Sequence, residues 1–350
     1  MKASLIDFRA EFRDRLLDVL WRQWNTLGVS GHGTAWEAAP IDPEALLLVS
    51  CTVARHDARL FDAVLEWMRI NGRYVNVQRV NRMFAGGLLA GQAVFRAVAA
   101  ATKTSVHESK WGRSARTAER PGTKPVPLFY MRDGNPLPVV HAKDPLFAGH
   151  GLLRDRFELR GVAQPARTEP AANLILRLRA LLGVNARCEI LAFLLLNERG
   201  SPRAVARDCC YFPATVSKAL SEMGASGYVV SRVEGRHRYY KLVPDAWREL
   251  LVGDVRLSWV VWARLFSALE QLWILLWQAE FRERSPLSQA SALRRILRES
   301  VVKRLDQSGL AFTFGDESAH TGEALITFFV TRTVALLDTL ERLGSAKGRA

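Results

Sequence analysis

Residues 231–242, SRVEGRHRYYKL, place Arg236, His237 and Arg238 where two runs of alternating apolar and polar residues meet. Strands over 228–234 and 238–243, joined at Gly235, would form a hairpin with this basic tip, and Arg232 adds a further cation beside it. Cations at an exposed tip can neutralise phosphates and release their counterions, which makes binding salt-dependent. A second set begins at Pro213, in PATVSKALSEMGASGYV. Val216, Leu220 and Met223 recur at i, i+4 and i+7 and must face a core. The opposite arc carries Ala214, Ser217, Lys218, Ser221 and Ala225. Side chains this short let a helix backbone approach base edges in a DNA major groove. Thr215, Ser217 and Ser221 can hydrogen-bond bases or phosphates there, and Lys218 can reach a phosphate or a guanine.

The elements around these residues have a definite order. Helices are expected over 173–182 and 186–197. SPRAVARDCC opens a short helix over 202–210, with Ser201 as N-cap and Pro202 in the first turn. Val205 points inward from it, and Arg203 and Arg207 outward. The helix from Pro213 follows and stops near Gly227, and then comes the basic hairpin. Through ARCEILAFLLL, SPRAVARDCC, PATVSKALSEMGASGYV and GRHRYYKL, the stretch 173–250 resembles the winged helix-turn-helix transcription regulators, particularly the ArsR-like and MarR-like groups. The resemblance covers less than a quarter of the chain. It implies that the helix 213–226 enters the major groove with Thr215, Ser217, Lys218 and Ser221. It also implies that the wing 232–241, with Arg232, Arg236, His237 and Arg238, lies on the backbone or in the minor groove. Metal-sensing ArsR-like proteins hold paired thiols within the first helix of the motif. Here Cys209 and Cys210 fall at its end, so a soft-metal or redox sensor is the lesser variant of this expectation.

The charge distribution agrees with a polyanionic partner. The chain has 350 residues and a formal net charge of +14. Residues 101–170 and 171–250 each carry 12 basic and 7 acidic groups, whereas the two ends are nearly balanced. A basic middle attracts nucleic acid or an acidic membrane. Arg outnumbers Lys 40 to 9, which is equally what a base-composition bias produces. MKASLIDFRAEFRDRLL has charges throughout and no apolar leader, so a cytoplasmic, nucleoid-associated location is expected. LSWVVWARLFSALEQLWILLW, residues 257–277, is the most apolar run, but Arg264, Glu270 and Gln271 sit near its centre. Its Trp259, Trp262, Phe266, Leu269, Trp273 and Leu276 alternate at spacings of three and four, the seam of a helix packed on other helices.

Five segments are expected. Residues 1–101 read as an N-terminal helical domain, and 102–172 as a Pro/Gly/Arg-rich linker with a hairpin at Asp133-Gly134. Residues 173–250 form the winged helix, 251–343 a C-terminal helical region, and 344–350 a fraying tail. The helices 254–281 and 320–343 could supply a homodimer seam, so that two reading helices meet successive major grooves, or could complete the core of one chain. The four cysteines are expected as reduced thiols. No P-loop, GxGxxG, GxSxG or HExxH motif is present, and the histidines lack ligand spacing. The whole is therefore expected to be a mainly α protein with a small β wing, a bacterial-style, sequence-specific regulator of double-stranded DNA. An unknown small-molecule or protein effector is allowed for; no cofactor, membrane partner or catalysis is expected. The competing expectation is a winged helix that binds another protein, as an antitoxin-like partner does.

Overall fold

A computed structural model describes residues 5–31, 33–103, 108–116, 124–243, 247 and 257–345. The sequence also predicts a helix opening at Pro244 and an extended stretch PGTKPVP at 121–127; that helix apart from Trp247, part of that stretch and most of the expected tail lie outside the described residues. The described chain is mainly helical. Its largest sheet is a two-stranded antiparallel hairpin.

The first helices follow the apolar period closely. Helix α1 (Leu5–Leu27) buries Phe8, Phe12, Leu16, Leu20 and Leu27. Helix α2 (Pro43–Val53) starts where Asp42 accepts the amides of Glu44 and Ala45, both at 3.1 Å. Helix α3 (Ala58–Asn71) is capped in the same way by Asp57, and α4 (Val77–Ala85) by Asn76. Helices α5 (Gln92–Thr102) and α6 (Glu108–Trp111) complete this part.

The segment 124–172 is not a free linker. Short strands β1 (Val126–Pro127) and β2 (Leu152–Leu153) pair in parallel across α7 (Pro145–Gly149). The expected turn at Asp133-Gly134 is present as a single antiparallel bridge, Tyr130 to Pro136. Inward-facing polar residues of α3 hold the segment down. Arg154 forms a two-pronged pair with Asp62 at 2.6 and 3.1 Å. Glu66 accepts the amide of Val162 at 2.7 Å, and Asn71 accepts that of Ala166 at 2.9 Å. Irregular backbone can lie on a core because these side chains satisfy its donors.

The chain then forms a separate unit. Helices α8 (Leu174–Leu182), α9 (Ala186–Leu196), α10 (Pro202–Asp208) and α11 (Pro213–Gly224) lead into β3 (Val229–Glu234) and β4 (His237–Leu242). Their apolar faces make one core, from Leu174 through Val205, Val216, Leu220 and Met223 to Val229 and Tyr240, with Trp259 packed against it.

The last part returns to the first. Helix α12 (Trp262–Trp277) packs on α2. It is followed by α13 (Ala279–Arg282), α14 (Pro286–Ile296), a π turn at Leu297–Val301, α15 (Val302–Asp306) and α16 (Gly322–Leu343). The sequence predicts a helix over 286–308, and the chain is continuously helical from Pro286 to Asp306 with the π turn inside the run. Helix α16 lies on α14 and α1. The segments expected as separate N-terminal and C-terminal domains share a single core with the 124–172 segment. Of the two roles expected for the helices 254–281 and 320–343, this is the completion of one chain's core. Trp262, Phe266, Leu269, Trp273, Leu325, Phe329, Leu337 and Leu340 are all buried within one chain, so their apolar surface is already covered. No described helix is long and apolar enough to cross a membrane.

The charges near the centre of α12 have different fates. Arg264 and Gln271 are half-buried, but Glu270 is fully buried. Its carboxylate accepts from the Thr52 hydroxyl at 2.5 Å and the Ala90 amide at 2.7 Å. Burial outweighs these bonds and pushes its pKa up to about 7. Between about pH 4.5 and 7 the folded chain therefore holds a proton that the unfolded chain has lost, and stability falls as pH rises through that window. Glu270→Gln is expected to flatten the dependence and to raise stability at pH 8 by roughly 1–3 kcal/mol. Denaturant melts of both proteins at pH 5 and pH 8 check this; identical pH profiles would refute it.

Candidate nucleic-acid interface

Helix α11 has two sides. Val216, Ala219, Leu220 and Met223 are buried, and removing a large apolar side chain of this kind from water contributes about 1.5–3 kcal/mol. Those contacts set the rotation of the helix. Ala214, Thr215, Ser217, Lys218 and Ser221 are left exposed, and the Lys218 side chain keeps 81% of its surface in solvent. The chain enters α11 through a tight turn in which Cys210 takes a left-handed φ of 57°. Phe212 then sits at the N-cap, and Pro213 follows in the first turn.

The hairpin lies beside this helix. Residues Val229 to Glu234 pair with Leu242 to His237, and Gly235 and Arg236 form a two-residue turn. Gly235 has a φ of 62°, the sign that the first central position of a type II′ turn needs. Alternation puts Val229 and Tyr240 toward the core, with Arg238 on the same face nearer the tip. The hairpin is fastened at its base by Gly200, whose amide and carbonyl each bond Tyr240 at 2.9 Å. A side chain at Gly200 would meet the Phe193 ring and Val205 at 2.6 Å, so this close approach requires glycine.

An open cleft runs between α10, α11 and the hairpin. Arg203, Ala214 and Ser217 form one wall; Arg236, His237 and Arg238 form the other. Ser221 faces Arg238 across the adjoining hollow. The structure thus brings together Ser217, Ser221, Arg236, His237 and Arg238. Thr215 and Lys218 line a different groove on the far side of α11, with Lys110 and Arg187. Arg232 belongs to neither. It pairs with Tyr239 on the outer face of the hairpin, away from the core-facing Val229 and Tyr240. Arg203 joins the cleft although its sequence marks it only as outward-facing, and Arg187 and Lys110 have no local signal at all.

Several neighbouring cations are already engaged. Arg207 is held by Asp208 at 2.6 Å. Arg199 pairs with Glu234 at 2.6 Å and lies over the Tyr239 ring, 4.6 Å from its centroid. Among the described residues, no carboxylate pairs with Arg203, Arg232, Arg236 or Arg238. These unpaired guanidiniums are exposed and free to meet an anion.

The cysteines sit elsewhere. All four are buried free thiols. Burial pushes Cys188 and Cys210 up to about 11, and it raises Cys51 and Cys209 as well. Thiolate is the form that binds metal or attacks a disulfide, so these positions suit apolar packing. At pH 7.5 the native protein is expected to leave all four thiols unreacted with an aromatic disulfide reagent, and to release four equivalents once denatured. Prompt reaction of Cys209 or Cys210 in the native protein would revive the metal or redox variant.

Beneath the interface is a buried charge network. Arg179 of α8 donates to Glu44 at 2.7 and 2.8 Å and to Glu189 at 2.6 Å. Glu44 also accepts from Arg79 and, at 2.6 Å, from the Asn76 amide. Arg79 meets Asp42 at 2.5 Å and donates to the Cys209 carbonyl at 2.9 Å. Tyr211 donates to Glu189 at 2.6 Å and accepts from Asn76 at 2.7 Å. Burial alone would raise the pKa of Glu44, but Arg179 and Arg79 outweigh it and hold the carboxyl well below its usual range. Glu44, Asn76 and Arg79 lie on α2 and α4, whose apolar faces enter the large core; Arg179, Glu189, Cys209 and Tyr211 lie in the helix–hairpin unit. The network therefore orients that unit on the rest of the molecule.

No family model matches the chain, and no curated protein or solved structure matches it.

Proposed function

We propose that this protein is a regulator that binds double-stranded DNA through a winged helix-turn-helix unit. Helix α11 lies in the major groove, and the β3–β4 hairpin lies on the adjacent backbone or in the minor groove. The observation that carries this reading is the pairing of two surfaces. A helix face of short, exposed side chains stands next to a cleft whose guanidiniums, Arg203, Arg236 and Arg238, have no carboxylate partner among the described residues. The first surface can approach base edges in a groove about 12 Å wide, and the second can bond phosphates. Ser217 is the residue proposed to read bases, and Lys218, Arg236 and Arg238 to hold phosphate. Thr215 and Ser221 flank the reading face, His237 adds a donor at the wing, and Arg232 faces outward from it. The order of α10, α11 and hairpin, with the hairpin tied to Gly200, supports the winged-helix description.

The test is duplex binding by the purified protein over a salt series, followed by selection of bound genomic fragments. A steep loss of affinity with salt and a shared sequence among the fragments are expected. No duplex affinity, with stable co-purification of another protein, would assign the same surface to protein binding instead. A homodimer would double the half-site; selected fragments would then carry a palindrome about one helical turn between centres.

A further inference from the structure

We propose that the large body also grips the DNA: the outer face of α4 and the groove between it and α11 receive the phosphate backbone on the side of α11 away from the hairpin. This rests on α11 being the groove-reading helix. A helix in a major groove has a sugar–phosphate wall on each side of it. The hairpin cleft can meet only one of them.

Four observations converge on α4 for the other. The first is attachment. The Arg79 guanidinium bonds the Cys209 carbonyl at 2.9 Å, and the Asn76 amide bonds the Tyr211 hydroxyl at 2.7 Å, all in buried positions. These bonds tie α4 to the turn that leads directly into α11, so the two helices keep one relative placement. The second is the division of α4 itself. Arg79, Val80 and Met83 face inward, whereas Gln78 and Asn81 are exposed and Arg82 is half-exposed on the opposite arc. The third is Arg82. Its guanidinium lies 4.5 Å from the centre of the Phe212 ring, at the N-cap of α11, and no carboxylate pairs with it among the described residues. The ring holds this cation beside the start of the reading helix without cancelling its charge. The fourth is the groove between the helices. Lys110, Arg187 and Lys218 line it against a single carboxylate, Glu222, which Arg187 already engages at 2.5 Å. A groove with that excess of cations complements a polyanion.

Backbone contacts do not depend on sequence, so random-sequence duplex of about three helical turns serves as the probe. Arg82→Ala is expected to lower the slope of log affinity against log salt by about 1 and to weaken binding about fivefold at 0.15 M salt. Arg82→Lys should restore most of the slope. Gln78→Glu, an exposed change that adds a negative charge at the groove mouth, should weaken binding at least as much while leaving the thermal melt unchanged. Backbone-cleavage footprints should lose protection on one strand only. If Arg82→Ala and Gln78→Glu bind as the parent does while Lys218→Ala with Arg236→Ala loses affinity, the body makes no contact and this proposal falls alone. If the Lys218 and Arg236 pair also has no effect, the reading of α11 falls and takes this proposal with it.

Discussion

Replacing Lys218 and Arg236 together by alanine should cut duplex affinity roughly 30-fold at 0.15 M salt and roughly 200-fold at 0.05 M. The figures follow from counterion release. Each neutralised phosphate contributes about 0.9 to the slope of log affinity against log salt, which is about fivefold at the higher salt and fifteenfold at the lower. Two cations multiply these factors, so the slope itself should drop by nearly 2. Neither change should disturb the fold, because the Lys218 side chain is 81% in solvent and Arg236 stands exposed in the turn. Arg207→Ala is the matched control: its guanidinium is already spent on Asp208, so a much smaller loss is expected. Titrations by fluorescence anisotropy at four salt concentrations measure all three proteins. A double variant with the parent's affinity and slope would remove the case for DNA binding by this surface.

The second large effect is on stability. Glu44→Ala leaves Arg79 with Asp42 alone and Arg179 with Glu189 alone, and strands the buried N–H groups of Arg79, Arg179 and Asn76 that Glu44 accepted; losing these charge-assisted bonds costs roughly 3 kcal/mol. Glu44 joins the two cores, so denaturant unfolding should also separate into two transitions, one for the helix–hairpin unit and one for the body. The acid side carries its own signature. The folded-state pKa of Glu44 is depressed, so this contribution is complete above the ordinary value near 4.5 and is lost as pH falls below it. Glu44→Gln should be less stable at pH 7 yet lose little more on acidification. A single unshifted transition in Glu44→Ala would show that the network is not what couples the parts.

How much of this was legible in the sequence depended on distance along the chain. The inward positions of α11, its exposed short residues and the basic tip are local patterns, and the structure has them where the spacing puts them. The dimension across the fold was not legible. Glu44 meets Arg179 across 135 residues, and nothing near either marks the other as its partner. Glu270 counted in the sequence only as a charge against a membrane span; it is a buried hydrogen-bonding group under α2 and the loop before α5. Asp62 and Glu66 likewise have no local signal for their partners, which lie 92 and 96 residues further on in the 124–172 segment that they hold in place. Even within the site, spacing alone could not sort Ser217 to one side of α11 and Thr215 and Lys218 to the other.

Because α1 packs on α16, and Arg22 bonds the carbonyl of Gly344 at 2.6 Å, the first and last helices are neighbours. During synthesis, the face of α1 that meets α16 stays uncovered until residues 322–343 have been made. The middle of the chain has no such delay, since the partners of its core have all emerged by about Trp259. The helix–hairpin unit can therefore complete its core while the large core is still open, and a product cut short after it would leave uncovered the faces of α1 and α2 that meet α16 and α12.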